Sequence, residues 1–111
     1  MAIVETPKKL CQVGLTTSAA TIMTVTTGAS VVIKTILVHN YHASTSTTVT
    51  LWNGLATNQV NRILPTVTLA AGEHACFDGV ITLGDSEFIA GQAGANSCIA
   101  VTIYGVEFTE A

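Results

Sequence analysis

The run Ser30-Val31-Val32-Ile33-Lys34-Thr35-Ile36-Leu37-Val38-His39-Asn40 decides the fold. β-branched residues lose side-chain freedom in a helix and pack well on a pleated surface, so this run reads as a long strand. It ends in the polar loop Tyr41 to Thr48 and resumes as Val49-Thr50-Leu51-Trp52. Unbroken alternation puts Ile33 and Leu37 on one face and Val32, Ile36 and Val38 on the other. A strand apolar on both faces is central in a sandwich or covers a subunit contact. Lys34 interrupts the second face and marks it as the outer one.

The same period-2 signal extends in both directions. Upstream, Cys11, Val13 and Leu15 share a face; Ile22, Thr24 and Thr26 oppose Met23 and Val25; Thr27-Gly28-Ala29 turns into the long strand. Downstream, Asn53-Gly54 is a turn, Leu55 to Asn61 is a loop, and Ile63-Leu64-Pro65 leads into the short strand Thr66 to Leu69. Ala71-Gly72, Asp78-Gly79 and Gly84-Asp85 separate His74–Phe77, Val80–Leu83 and Glu87–Ala90. Ile99, Val101 and Ile103 open a last strand that runs to Phe108. No window carries a capped i, i+3, i+4, i+7 stripe. The expectation is an all-β protein: a single antiparallel β-sandwich or jelly roll of about eight strands. Its expected core is Val13, Ile33, Leu37, Leu51, Ile81, Ile89, Val101 and Ile103. Residues 1–9 read as an N-terminal arm with no partner strand, and 10–111 as the sandwich domain.

A chain of 111 residues is one domain, able to hold a core without metal or disulfides. Only 10% of its residues are charged, against about 25% in an ordinary soluble domain. Thr, Ser, Ala and Gly take their place, and a surface of that kind suits close packing against other subunits. A net charge of −3 with four Lys+Arg supplies no basic face for nucleic acid or for an anionic membrane. No apolar run reaches the ~18 residues of a membrane span. The first residues lack the basic start and apolar block of a signal peptide, so the chain reads as a complete protein made in a cytoplasm. Cys11, Cys76 and Cys98 are an odd number at wide spacing, without a CxxC pair, and read as free thiols.

Candidate chemistry is thin. His39 and His42 stand at i, i+3 beside a strand end, but no third ligand follows them, so no metal or other cofactor is expected. His74-Ala75-Cys76 puts an imidazole and a thiol on one strand face without a nucleophile signature. Glu73, Asp78, Asp85 and Glu87 are turn residues rather than a glycosidase pair. No GxSxG elbow or phosphate loop exists. The chain does not read as an enzyme. Tyr41 and Trp52 flank the polar loop, where an aromatic can anchor a contact or simply close the core rim. Ile3 and Val4 are apolar anchors on the N-terminal arm. These four, Ile3, Val4, Tyr41 and Trp52, are the candidate interface residues.

The order of elements resembles small β-sandwich proteins of tailed-bacteriophage virions. The resembling pieces are Gln12-Val13-Gly14-Leu15-Thr16-Thr17, Thr26-Thr27-Gly28, Val32 to Asn40, Val49 to Trp52, Leu69 to Glu73, Leu83-Gly84-Asp85 and Val101 to Glu107. Proteins of this kind serve as head decoration or cement proteins, and as fibre or tail modules, commonly as trimers. The resemblance therefore implies a homotrimer on the capsid surface of a virion, partnered with itself and with the major capsid protein. The alternative it implies is a tail or fibre-tip module that binds a host-surface glycan. The resemblance supplies no catalytic residues.

Overall fold

The computed structural model describes residues 3–56, 58–63 and 66–110. They form eight strands: β1 (Ile3–Gly14), β2 (Ala20–Thr24), β3 (Ser30–Asn40), β4 (Thr47–Asn53), β5 (Val67–Leu69), β6 (His74–Leu83), β7 (Phe88–Ala93) and β8 (Ile99–Glu110). One short 3-10 turn, Gln59–Asn61, lies between β4 and β5. Two four-stranded sheets result, ordered β1-β8-β3-β6 and β2-β7-β4-β5, and every pairing is antiparallel. The first strand pairs with the last, and each sheet draws strands from both halves of the chain. That is a jelly roll, as the alternation suggested. Leu64 and Pro65, read as the lead into β5, lie outside the described residues.

The core fills the space between the sheets. Ile33, Ile36, Val38, Leu51, Leu83, Ile89, Ile99, Val101 and Ile103 are all 1% exposed or less. Val13 and Ile81 pack half-buried against them. Leu37 does not belong to this core. The register of β3 shifts between Ile33 and Thr35, against both β6 and β8. That bulge inserts one residue at Lys34 and reverses the alternation beyond it. Ile36 and Val38 therefore point inward with Ile33, and Leu37 joins Val32 on the outer face. The same shift merges two expected strands. Asp78-Gly79 is not a turn: β6 continues through a bulge at Gly79 and Val80 to Leu83.

Residues 3–9 have a partner strand. Ile3 pairs with Glu110, and the register runs inward to Lys9 opposite Tyr104. The expected free arm is the first half of β1, laid along the far end of β8. Local alternation does not report this pairing, because the two segments lie at opposite ends of the chain. Pro7 is tolerated here because β1 is an edge strand.

Two turns share one construction. In Leu69-Ala70-Ala71-Gly72-Glu73 and in Leu83-Gly84-Asp85-Ser86-Glu87, the Glu backbone N–H donates to the carbonyl three residues back, at 3.0 and 3.1 Å. Each Glu carboxylate accepts from the N–H of that same residue, Ala70 or Gly84. Gly72 (φ 79°) and Ser86 (φ 65°) hold the left-handed position.

Candidate docking surfaces

Most of the carboxylates that could carry chemistry, and His42, are committed to local structure. Glu73 and Glu87 close the two turns. Asp78 accepts from Thr35 Oγ1 at 3.1 Å, and Asp85 from Ser86 Oγ at 2.9 Å. His42 Nδ1 accepts from the N–H groups of Ser44 and Thr45 at 3.1 and 3.0 Å, so its ring caps the β3–β4 loop. His39 lies exposed on the outer face of β3, directly opposite His74 of β6. The fold thus separates His39 from His42 and brings it beside His74 instead. Among the described residues no group of three or more His, Cys, Asp or Glu side chains could hold a metal ion.

The cysteines are free. Cys98 is buried; Cys11 is half-buried and donates its thiol to the Ile22 carbonyl at 3.4 Å. Burial pushes the Cys11 thiol above its usual range. Cys76 stands exposed on β6 and points toward Asp78 Oδ1, at 3.8 Å. Desolvation, then the Asp78 charge and this hydrogen bond, push its thiol upward too. A raised thiol is the opposite of an activated nucleophile.

The four candidate interface residues part company. Ile3 is 69% exposed, Val4 42% and Tyr41 50%, whereas Trp52 is 4% exposed. Trp52 faces the outer side of its sheet, one residue beyond the inward Leu51, and lies buried where the β4–β5 connection pairs alongside β4. There Arg62 bridges to Trp52, and the Ile63 N–H donates to the Leu51 carbonyl at 2.9 Å. Trp52 closes a rim and offers no free contact. It also sits five positions into β4, about 17 Å along the strand from the end where the polar loop enters. Tyr41 and Trp52 flank that loop in sequence and are not joined into one surface.

The surface that the fold does build is the far end of the β1-β8-β3-β6 sheet. Its strands run to twelve residues, against seven at most in the other sheet. Residues 3–9 are exposed throughout, so the β1 edge of this end is covered on neither face, whereas Val31 and Leu83 at the same end are buried on the inner side. On its outer side Pro7, Val106 and Val32 form one cross-strand row. Phe108 stands beyond that row, and the shallow cleft between them is rimmed by Glu5 and Lys34. Phe108 also borders a second cleft, with Ile3, Ala29 and Thr109. One ion pair, Lys8 with Glu107 at 3.0 Å, crosses this end. Two further apolar points are Val60 on the β4–β5 connection and Val80 at the β6 bulge, 90% and 69% exposed. The sequence named Ile3 and Val4 but missed Pro7, Val106 and Phe108, because only the β1–β8 pairing makes them neighbours.

No family model matches the chain, and no curated protein sequence matches it. Solved structures do. A chain from the virus-like particle of the Macrobrachium rosenbergii extra small virus aligns over 100% of this chain and 82% of its own length. Its TM-score is 0.59 at 11% identity. A chain from the acid-stable capsid of Helicobacter pylori bacteriophage KHP30 aligns over 99% and 94%, with a TM-score of 0.58 at 10% identity. A chain from Bacillus endospore appendages, described as disulfide-linked pili, aligns over 98% and 89%, with a TM-score of 0.51 at 17% identity. At these identities the likeness is one of fold. This chain is a jelly roll of the kind found in viral shells and in a bacterial pilus.

Proposed function

We propose that this chain is a structural virion protein of the decoration or cement type, binding the outside of an assembled phage head and stabilising it. The observation that carries this reading is the apolar end of the longer sheet, where exposed Ile3 and Pro7 adjoin half-buried Val32, Val106 and Phe108. Exposed apolar clusters rimmed by a few charges mark protein contacts. The sparse charge of the remaining surface favours close subunit packing. The fold supports the broader part of this reading, a structural virion role, since this chain aligns with nearly all of a phage-capsid chain of the same architecture. The partners would be the major capsid protein and further copies of this chain, as a homotrimer. Binding only to the assembled shell would stabilise it by mass action.

The test uses virions that carry the protein. Phe108→Asp and Ile3→Asp place a charge on the apolar end without touching the core. The variants should fold, bind stripped heads poorly, and lower the temperature of DNA release to that of undecorated heads. An unchanged release temperature with adsorption to host cells lost would move the assignment to a fibre tip.

A further inference from the structure

We propose that the open edge of β6 pairs with the β6 edge of a second copy of this chain, antiparallel across a twofold axis that passes beside Cys76. β6 is an edge strand of ten residues with one charged side chain, Asp78. A long edge with so little charge is a template for strand addition unless something covers it. Among the described residues no strand does. Residues 74–78 pair in unbroken register with β3, from His39 opposite His74 to Thr35 opposite Asp78. A turn precedes this stretch and the Gly79–Val80 bulge ends it, so 74–78 is the flat portion, and Cys76 is its midpoint.

The backbone direction follows from β3. The Asn40 N–H and carbonyl both bond toward the β6 side, to Glu73 and Gly72. Alternation along β3 and β6 then turns the backbone groups of Ala75 and Phe77 toward β3 and those of His74, Cys76 and Asp78 toward the open edge. A twofold pairing of 74–78 on itself satisfies all of these outward groups. It sets His74 against Asp78 of the second copy, twice, and Ala75 against Phe77 of the second copy. An imidazole meets a carboxylate on the outer face, and a small side chain meets a large one on the inner face. The stretch is self-complementary, as a twofold contact requires. The two Cys76 residues would face each other with Cα atoms about 5.5 Å apart. The contact stands or falls independently of the virion assignment.

The experiment is thiol cross-linking of the purified full chain with a short bis-maleimide, read on a denaturing gel. Wild type should give covalent dimers, and Cys76→Ser should give none. His74→Asp sets like charges opposite each other twice, and should lower dimer yield by about threefold to tenfold. The swap His74→Asp with Asp78→His restores the opposite pairing in this register and should restore the yield. Circular dichroism of each variant keeps loss of fold distinct from loss of contact. A folded His74→Asp variant with unchanged yield would overturn the proposal. So would a folded swap variant that fails to restore it.

Discussion

The Asn40 side-chain amide donates to the Leu69 carbonyl at 3.0 Å and so ties the end of β3 in one sheet to β5 in the other. The same amide donates to the Thr45 carbonyl at 2.8 Å, and Asn40 Oδ1 accepts from the His42 N–H at 3.0 Å. Asn40 is fully buried. Its one side chain closes the β3–β4 loop and the inter-sheet corner together. Asn40→Ala strips the Thr45 carbonyl and the His42 N–H of their partner, while the Leu69 carbonyl keeps Ser46 Oγ at 3.3 Å; it should cost about 2–3 kcal/mol, since each group left without a partner carries its own desolvation penalty. Urea unfolding measures it; a midpoint within error of wild type would refute the role.

Gly105 lies opposite Ile33, beside the register shift between β8 and β3. A Cβ there would collide with the Val32 carbonyl oxygen and lie 2.9 Å from Leu10 Cδ1. Backbone cannot yield as a flexible side chain can, so Gly105→Ala should destabilise by about 3 kcal/mol or prevent folding. Gly79→Ala is the control. Nothing lies within 4 Å of that position, and its stability should stay within about 0.5 kcal/mol of wild type.

Ser86 holds the left-handed position that Gly72 fills in the matching turn. A side chain there crowds the following carbonyl. Ser86→Gly should raise stability by about 0.5–1 kcal/mol, with the Asp85–Ser86 surface bond contributing little. A lower melting temperature for Ser86→Gly would show that the hydroxyl matters more than the backbone.

The pairing of residues 3–9 with β8 is testable by hydrogen exchange. Those amides that face β8 should exchange slowly, whereas a free arm would exchange at once. The Lys8–Glu107 pair is partly exposed, at 41% and 21%, and Lys8→Ala should cost no more than about 1 kcal/mol. Full exchange of residues 3–9 at the first time point would return them to an arm.

The three thiols should label in the order of their exposure: Cys76 first, Cys11 later, Cys98 only on unfolding. Denatured, non-reduced protein should titrate three. Asp78→Asn removes the charge that helps raise the Cys76 thiol and adds an amide N–H that can donate to a thiolate, so its labelling at neutral pH should speed up. Burial holds Cys11 above its usual 9.0 in the folded chain, so the unfolded chain releases that proton first. The stability carried by the neutral thiol is complete below that value and declines as pH climbs through the folded one. Cys11→Ser should flatten that decline.

Sequence alone determined the all-β class, the turns at Gly28, Gly54 and Gly72, and most of the strands, because alternation and turn chemistry are written in neighbouring residues. It also limited the chemistry, since the charge is sparse and the Glu residues stand where turns need them. Tertiary structure decided the rest. The bulge at Lys34 reversed the faces of β3, moving Leu37 outward and Ile36 and Val38 into the core. A bulge depends on the partner strands, so the alternation of one strand cannot announce it. The β1–β8 pairing gave the apparent arm a partner and assembled Pro7, Val106 and Phe108 with Ile3. Its two strands come from opposite ends of the chain. Trp52 is buried where the β4–β5 connection pairs alongside β4, and so is absent from the surface. Local periodicity says which residues share a strand face. Only the pairing of distant strands says which face is covered, and by what.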